Sequence, residues 1–269
     1  MLPDQAEDRW REHFAAAAAG DPAGGGRAAD IEILTALGNA RIERLGEVPY
    51  GSNAVFVLEL DAADPSRPDA RMRAIYKPAR GERPLWDFPR HTLYLREVAT
   101  YLVDAALGLG HVPPTTLRDG PVGPGSVQLF VHAATKRPAA AQSDAVEAQL
   151  RNIAALDVLV NNADRKRSHL MITDSGWIRA IDNALTFLPY PRQRTALIAL
   201  GGQKLSDDAF DRVSTLAKDR ERLPELERRL GRLLSAREVT AFVHRVSELA
   251  GDPTYPVLDE WDGRPFEWW

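Results

Sequence analysis

The alternation of apolar and polar positions separates a strand-rich first half of the chain from a helical second half. Residues 40–60 predict a hairpin, because the segment AVFVLEL has the β-branched and aromatic residues typical of a strand. A loop is expected over 61–70, followed by a third strand over 71–78, RMRAIYKP, which ends at its proline. Two shorter strands are expected near 115–117 and 126–131.

Helical spacing of apolar positions predicts the remaining elements. Residues 93–107 form the clearest helix of the first half and end before Gly108, which makes this half α+β. In the second half we expect a helix over 144–160, a small hairpin within 170–181 and three helical stretches beyond Ser206. The pattern therefore predicts a two-lobed α+β fold, with a small strand-rich N-lobe that carries one key helix and a larger, mainly helical C-lobe.

Changes in composition divide the chain into three parts. A short helix and a flexible linker are expected over 1–28, where the run GDPAGGG interrupts the pattern. The N-lobe and a connector would occupy 29–134, and the helical C-lobe with an aromatic C-terminal tail would occupy 135–269. A small strand-rich lobe, a connector and a larger helical lobe, in this order, are the layout of kinases.

A net charge of −4 and the absence of cysteine exclude several functions. Proteins built mainly to bind nucleic acid carry a basic surface, so no nucleic-acid partner is expected. Without cysteine there can be no disulfide, thiolate zinc site or thiol nucleophile. The sequence has no apolar run of about 18 residues and no signal-peptide pattern over 1–19, so we expect a cytoplasmic protein without stable membrane insertion.

The first half contains candidates for a phosphate-binding site. Phosphoryl transfer requires cations on the phosphates, and Lys77 in the strand AIYKP could supply one, although a strand-end lysine that reaches solvent explains it equally well. Glu97 on the next helix could pair with Lys77, whereas a solvated helix charge is the plainer alternative. The turn that contains Ser52 and Asn53 could offer donors to phosphate oxygens, or it could be a plain hairpin turn.

Two acidic motifs in the second half are the strongest chemical signal. Asp164 and Arg165 follow a helix and stand in a polar loop, and Asp182 follows the apolar segment 177–181. An aspartate at the end of an apolar strand is costly to bury unless it is paired or bound to a metal. Each aspartate alone could be a capping or turn residue. Together they predict a single site for a metal and phosphates.

The residues around these aspartates resemble a known family. The segments LDVLVNNADRKRSHLMI and AIDNALTFLP resemble the catalytic and metal-binding motifs of the type II phosphatidylinositol 4-kinases, within the phosphatidylinositol 3-/4-kinase-like superfamily. AIYKP and REVATYLVDAALGLGHVPPT look like the lysine strand and the following helix of that family. The likeness covers about 46–189 and is closest to an uncharacterised bacterial branch. It implies a protein-kinase-like fold and ATP with Mg²⁺, or Mn²⁺, as cofactors.

The resemblance also implies a role for each matching residue. Lys77 would contact the phosphates, with Glu97 in support, while Asp164 would be the catalytic aspartate and Arg165, its neighbour in the same motif, a further catalytic residue. Asp182 would hold the metal. The remaining nucleotide contacts would come from the turn and from a connector that binds adenine through its backbone: Ser52, Asn53, Gln128, Phe130 and Val131.

The chain departs from the family's pattern at His169, where the family usually has a metal-binding asparagine. If His169 is a metal ligand, we expect a preference for Mn²⁺ over Mg²⁺ and a loss of activity as the imidazole protonates below about pH 6.5. Alternatively, His169 hydrogen-bonds the loop around Asp164 and never contacts metal. The cysteine-rich membrane segment of the type II lipid kinases is missing as well, so a lipid acceptor does not follow from the resemblance.

Two functions are compatible with this sequence. The first is an ATP- and metal-dependent kinase that transfers the γ-phosphoryl group to a hydroxyl acceptor on a lipid, a protein or a small molecule. The second is a nucleotide-binding regulatory module with little or no catalysis, which the histidine at 169 suggests. Retention of Lys77, Asp164 and Asp182 favours the first, because a module that only binds nucleotide has less use for Asp164.

Overall fold

A computed structural model describes residues 28–49, 53–135 and 144–265. The first described element is helix α1 (Ala28–Asn39), which the sequence analysis did not predict. Its last turn is capped by the buried guanidinium of Arg118, which donates hydrogen bonds to the carbonyls of Leu37 and Ala40. The helix predicted over 1–19 lies outside the described residues.

Five strands form one antiparallel sheet, which carries Lys77. They are β1 (Ile42–Glu47), β2 (Phe56–Asp64), β3 (Arg67–Pro78), β4 (Thr115–Gly120) and β5 (Gly123–Leu129), in the spatial order β1-β2-β3-β5-β4. The hairpin predicted over 40–60 and the lysine-bearing third strand are both present. Strand β3 is central in the sheet, and Lys77 lies near its end, where it pairs with Ser126 of β5.

The prediction of a loop over 61–70 is wrong, because β2 and β3 continue through this segment and are joined by a tight turn between Asp64 and Arg67. One carboxylate oxygen of Asp64 accepts hydrogen bonds from the backbone N–H groups of Ser66, at 2.8 Å, and Arg67, at 3.1 Å. This side-chain-to-backbone pattern stabilises a turn with very few residues. The proline and aspartates in the segment therefore indicated a turn correctly but not its length.

The helices that follow agree with the predicted pattern. They are α2 (Leu93–Leu107), α3 (Asp144–Val160), α4 (Asp207–Lys218), α5 (Arg222–Leu230) and α6 (Ala236–Gly251), with a small hairpin of β6 (Leu170–Ile172) and β7 (Ile178–Ala180) after α3. Helix α2 ends at Gly108, whose φ of 68° is a left-handed conformation that glycine adopts without strain. The α+β character of the chain is thus confirmed, while the boundaries 1–28, 29–134 and 135–269 stay predictions.

Helix α2 is buried on all sides, since every one of its residues except Ala105 is buried. It contacts β4 and β5 on one side and α3, α4 and α5 on the other. The guanidinium of Arg96 pairs with Glu238 of α6 and donates a 2.5 Å hydrogen bond to the carbonyl of Thr186. Helix α2 is therefore fastened to the helical part of the molecule by packing and by a buried ion pair.

Within 28–49, 53–135 and 144–265, no helix has both the length and the apolar composition that crossing a bilayer requires.

Candidate active site

The side chain of Lys77 joins three parts of the chain that are far apart in sequence. Its ammonium contacts Oε1 of Glu97 on α2 and lies 2.8 Å from Oδ1 of Asp182, just after β7. The other oxygen of Glu97 accepts the backbone N–H of Asn183 at 3.0 Å. Burial alone would lower the pKa of Lys77, but the charges of Asp182 and Glu97 outweigh it and raise the pKa above its usual value. Lys77 is therefore a fixed cation.

Asp182 is held in an unusual backbone conformation. Its φ of 57° lies in the left-handed region, which costs energy for a residue other than glycine and is found mostly at functional sites. This geometry directs one carboxylate oxygen at Lys77 and the other at Nε2 of His169, at 3.3 Å. The charge of Lys77 holds the pKa of Asp182 well below its usual range. Asp182 is therefore an anion throughout the neutral pH range.

Asp164 stands in the loop after α3, next to a lysine that the sequence analysis did not single out. The backbone N–H of Asp164 donates to the side chain of Asn162, at 2.9 Å, which sets the shape of the loop. The ammonium of Lys166 lies 2.8 Å from Oδ2 of Asp164. Burial raises the pKa of Asp164, and Lys166 partly offsets this. In the sequence, Lys166 is recognisable only as a second cation, two residues after Asp164 in the run DRK.

Arg165 was predicted to be catalytic, and the structure places its side chain behind the site. Both Arg165 and its partner Asp157 on α3 are fully buried, with Nε 2.9 Å from Oδ2 and Nη2 2.9 Å from Oδ1. The remaining N–H groups donate to the carbonyl of Ile181 and to Oδ1 of Asn183, the two neighbours of Asp182. Arg165 thus fixes the loop of Asp164 against the segment of Asp182, which is a positioning role.

Replacing Arg165 with methionine is expected to lower the free energy of unfolding by about 3–5 kcal/mol, because the carboxylate of Asp157 would remain buried without its partner. Urea denaturation of the variant measures this loss. The double variant with Asp157→Leu removes both charges and should recover much of the stability. An equal loss in the single and double variants would show that the ion pair is not the reason.

His169 lies at the point where a metal ligand was predicted. Its Nδ1 accepts the N–H of Lys166 at 3.4 Å, so the ring proton is on Nε2, which faces Asp182. Coordination through Nε2 would require the other tautomer and the loss of this long hydrogen bond. Burial lowers the pKa of His169 to about 4. The loss of activity expected below about pH 6.5 is therefore not supported, since the imidazole stays neutral in that range.

A cation at this site would need ligands from outside the protein. Among the described residues no group of three or more histidine, aspartate or glutamate side chains could hold a metal ion. Asp182 and His169 offer one oxygen and one nitrogen that face each other. Divalent cations in phosphotransfer sites complete their coordination with phosphate oxygens and water. Asp182 fits such a shared site, and His169 would join it only in its other tautomer.

The predicted nucleotide contacts are only partly brought together. Ser52 lies outside the described residues, and Oδ1 of Asn53 accepts the N–H of Arg83, which fixes the segment after β3. Gln128 is buried in β5 and donates to Thr115. The N–H of Phe130 donates to the carbonyl of Arg73 at 3.0 Å, and half-buried Val131 follows it. An adenine contact through the backbone of this connector stays a prediction.

The Lys77→Met variant is expected to bind metal-bound ATP at least about tenfold more weakly, because one fixed cation directed at the phosphates is lost. Isothermal titration calorimetry measures this affinity. The substitution also leaves Glu97 buried without its cation, which should destabilise the fold. Adding Glu97→Gln should restore the stability but not the affinity. Full affinity in the double variant would remove Lys77 from the nucleotide site.

Comparison with known proteins places these residues in a kinase-like fold. Protein Rv2133c of Mycobacterium tuberculosis is 32% identical over an alignment that covers 86% of this chain and 93% of that protein. No family model matches the chain. The structure of Fam20 from hydra, solved with a sugar, has a TM-score of 0.58 at 17% identity and covers 91% of this chain and 93% of that one.

A second solved structure is the Golgi casein kinase with Mn and ADP bound. Its TM-score is 0.54 at 15% identity, and the match covers 82% of this chain and 74% of that one. At such identities the likeness is one of fold. It confirms the two-lobed protein-kinase-like fold that the sequence pattern predicted.

Proposed function

The chain belongs to the same family as the mycobacterial protein Rv2133c, and we propose that it is an ATP- and divalent-metal-dependent kinase that phosphorylates a hydroxyl group. The observation that carries this proposal is the convergence of Lys77, Glu97 and Asp182, with Asp164 and Lys166 paired in the neighbouring loop. Phosphoryl transfer needs this combination of fixed cations, a metal-binding carboxylate and an acidic group for the acceptor. The kinase-like fold and the bound Mn and ADP of the Golgi casein kinase support it.

Each residue of the cluster has a distinct part in the proposed reaction. Lys77 holds the phosphates through its ammonium, and Glu97 fixes the direction of that ammonium. Asp182, with His169 beside it, would hold the divalent cation, which when bound supplies positive charge to the phosphate oxygens. Asp164 orients the acceptor hydroxyl and accepts its proton as the new oxygen–phosphorus bond forms and the bond to the leaving ADP breaks.

Lys166 would stabilise the transferred group. Its ammonium lies beside the carboxylate of Asp164, so it is close to where the acceptor oxygen meets the γ-phosphorus. Charge accumulates on the oxygens of this phosphoryl group during transfer, and a nearby cation lowers the energy of that state. Lys166 also opposes the effect of burial on the pKa of Asp164 and so keeps the carboxylate ionised for proton acceptance.

The residues around Lys77 do not determine which molecule accepts the phosphoryl group. A lipid is one candidate. A protein or a small alcohol is equally compatible with the cluster around Lys77, because those residues act on the nucleotide. The cofactors we propose are ATP and Mg²⁺ or Mn²⁺.

One observation favours a second function, a nucleotide-binding module with little catalysis. His169 stands where the type II phosphatidylinositol 4-kinases usually have a metal-binding asparagine. Nε2 of His169 carries the ring proton when Nδ1 accepts the N–H of Lys166. A weakened second metal contact would reduce turnover more than nucleotide binding.

Incubation of the purified protein with γ-labelled ATP tests both functions. The expected result is nucleotide binding that depends on Mg²⁺ or Mn²⁺, with label transferred to an added alcohol, to the protein itself or to water. Chelation of the metal should abolish this transfer. Binding without any transfer would favour the regulatory module, and no binding in the presence of either metal would contradict both.

His169→Asn is expected to raise Mg²⁺-dependent activity relative to Mn²⁺-dependent activity, since magnesium prefers oxygen ligands and imidazole suits softer cations. Initial rates with each metal at saturating ATP measure the change in this ratio. Because burial keeps His169 neutral, wild type and variant should have the same pH profile between about pH 5 and 8. An unchanged metal preference would show that His169 only hydrogen-bonds the loop.

A further inference from the structure

A pocket of about 350 Å³ lies beside the loop of Asp164, and none of the residues proposed to bind ATP lines it. The segment 85–88, which includes Trp86, lies between β3 and α2 and forms one part of the lining. Ala163 and Leu185 come from the two motif segments, and Arg192 and Arg194 complete the lining. Its volume is in the range that small-molecule sites occupy.

Backbone hydrogen bonds hold this pocket against the catalytic loop. The N–H of Arg194 donates to the carbonyl of Asn162 at 2.9 Å, and the N–H of Arg165 donates to the carbonyl of Arg194 at 3.0 Å. Residue 194 therefore runs alongside the segment that contains Asp164. On the other side, the N–H of Ala163 donates to the carbonyl of Leu185 at 2.8 Å. A molecule in the pocket would thus lie against the loop that carries Asp164.

The wall formed by Trp86 presents a flat apolar surface. Its indole is 85% exposed, although the neighbouring Phe88 is buried against Leu93, Ala163 and Leu188. The indole is therefore carried on an anchored segment, and an exposed aromatic ring is a common contact for ligands. The guanidinium of Arg192 lies 5.8 Å from the centre of this ring.

The pocket also carries positive charge. Arg192 and Arg194 both line the pocket, and Asp87, with Oδ2 3.9 Å from Nε of Arg192, is its one acidic lining residue. Two cations against one anion give a local positive excess in a chain whose net charge is −4. The planar guanidinium group binds carboxylates and phosphates through paired hydrogen bonds.

We propose that this pocket is the acceptor site, and that the acceptor is a small alcohol bearing an anionic group. The anionic group would bind Arg192 and Arg194, the carbon skeleton would lie against Trp86, and a hydroxyl would reach Asp164. This inference rests on the proposed function and adds a class of substrate to it. The same chemistry is offered by a free phosphorylated alcohol and by a lipid headgroup.

The first test measures binding of paired probes to the full-length protein in the absence of nucleotide. Saturation-transfer NMR compares sn-glycerol 3-phosphate and D-glucose 6-phosphate with glycerol and glucose. A parallel arm measures co-sedimentation with phosphatidylcholine vesicles, with and without phosphatidylinositol. We expect the anionic member of each pair to bind more tightly by at least about tenfold. Equal binding of anionic and neutral probes in both arms would overturn the proposal, and selectivity confined to vesicles would identify a lipid headgroup.

Variants locate the binding. Arg192→Gln and Trp86→Ala should each weaken binding of the anionic probe by about tenfold, whereas Arg220→Gln, an exposed arginine between α4 and α5, should have no effect. None of these changes should alter the affinity for metal-bound ATP. If the protein binds ATP but Arg192→Gln leaves probe binding intact, the acceptor site is wrong and the proposed kinase function stands. If the protein binds no nucleotide in the presence of either metal, the proposed kinase function is wrong, whatever the binding of the probes.

Discussion

Replacing Asp182 with alanine is expected to abolish metal-dependent binding of ATP. The carboxylate of Asp182 is the main fixed anion that faces the proposed cation position, and the charge of Lys77 keeps it ionised. Hard divalent cations bind chiefly to such oxygens. In the variant, the affinity for ATP should be the same with Mg²⁺, with Mn²⁺ and with a chelator. Calorimetric titration under these three conditions measures the effect.

Asp174 provides a matched control for this prediction. It is an exposed aspartate in the turn between β6 and β7, close in sequence but directed to solvent. Asp174→Ala should leave the metal dependence of ATP binding unchanged. If Asp182→Ala also retained metal-dependent affinity, Asp182 would not be a metal ligand, and the proposed arrangement of the site would be incorrect.

Asp164→Asn is expected to reduce phosphoryl transfer by about 10²–10⁴-fold with little change in ATP affinity, because the amide keeps the shape of the carboxylate but cannot accept a proton. Burial raises the pKa of Asp164, so the wild-type rate should fall on the acidic side at a higher pH than for an exposed aspartate. This acidic fall should be absent from the residual activity of the variant. Single-turnover rates across pH measure both effects.

A contrary outcome is equally informative for Asp164. Unreduced transfer by Asp164→Asn would show that proton acceptance at this position is not needed, and that positioning alone suffices. The variant leaves Lys166 without its carboxylate partner. The additional variant Lys166→Met therefore separates loss of the base from displacement of this cation.

The elements that support the site were predictable because local sequence and tertiary packing agree there. Helix α2 was predicted over 93–107 and is observed over Leu93–Leu107, since its apolar spacing and the glycine at 108 both favour these ends. Lys77 and Asp182 stand directly at strand ends, where their spacing from apolar positions was visible in the sequence.

Other features depend on contacts that no local pattern encodes. Helix α1 is stabilised by Arg118 of β4, about eighty residues away, so its own residues gave no sufficient signal. The buried pair of Arg165 and Asp157 is formed across a helix and a loop, and a sequence shows only that both residues are charged. Lys166 was overlooked for the opposite reason. A lysine in a polar loop looks solvated until the structure places it beside Asp164.

The burial of α2 has a consequence for how the proposed kinase could be regulated. To separate Glu97 from Lys77, α2 would have to move outward. This movement would also break the buried ion pair between Arg96 and Glu238 and leave each charge without its partner. Removing one partner of a buried pair costs about 3–5 kcal/mol, which corresponds to a population of the separated state below about one per cent. In the proposed kinase, Lys77 and Glu97 would therefore stay paired in nearly all molecules, and the output would follow the supply of acceptor and nucleotide rather than a movement of this helix.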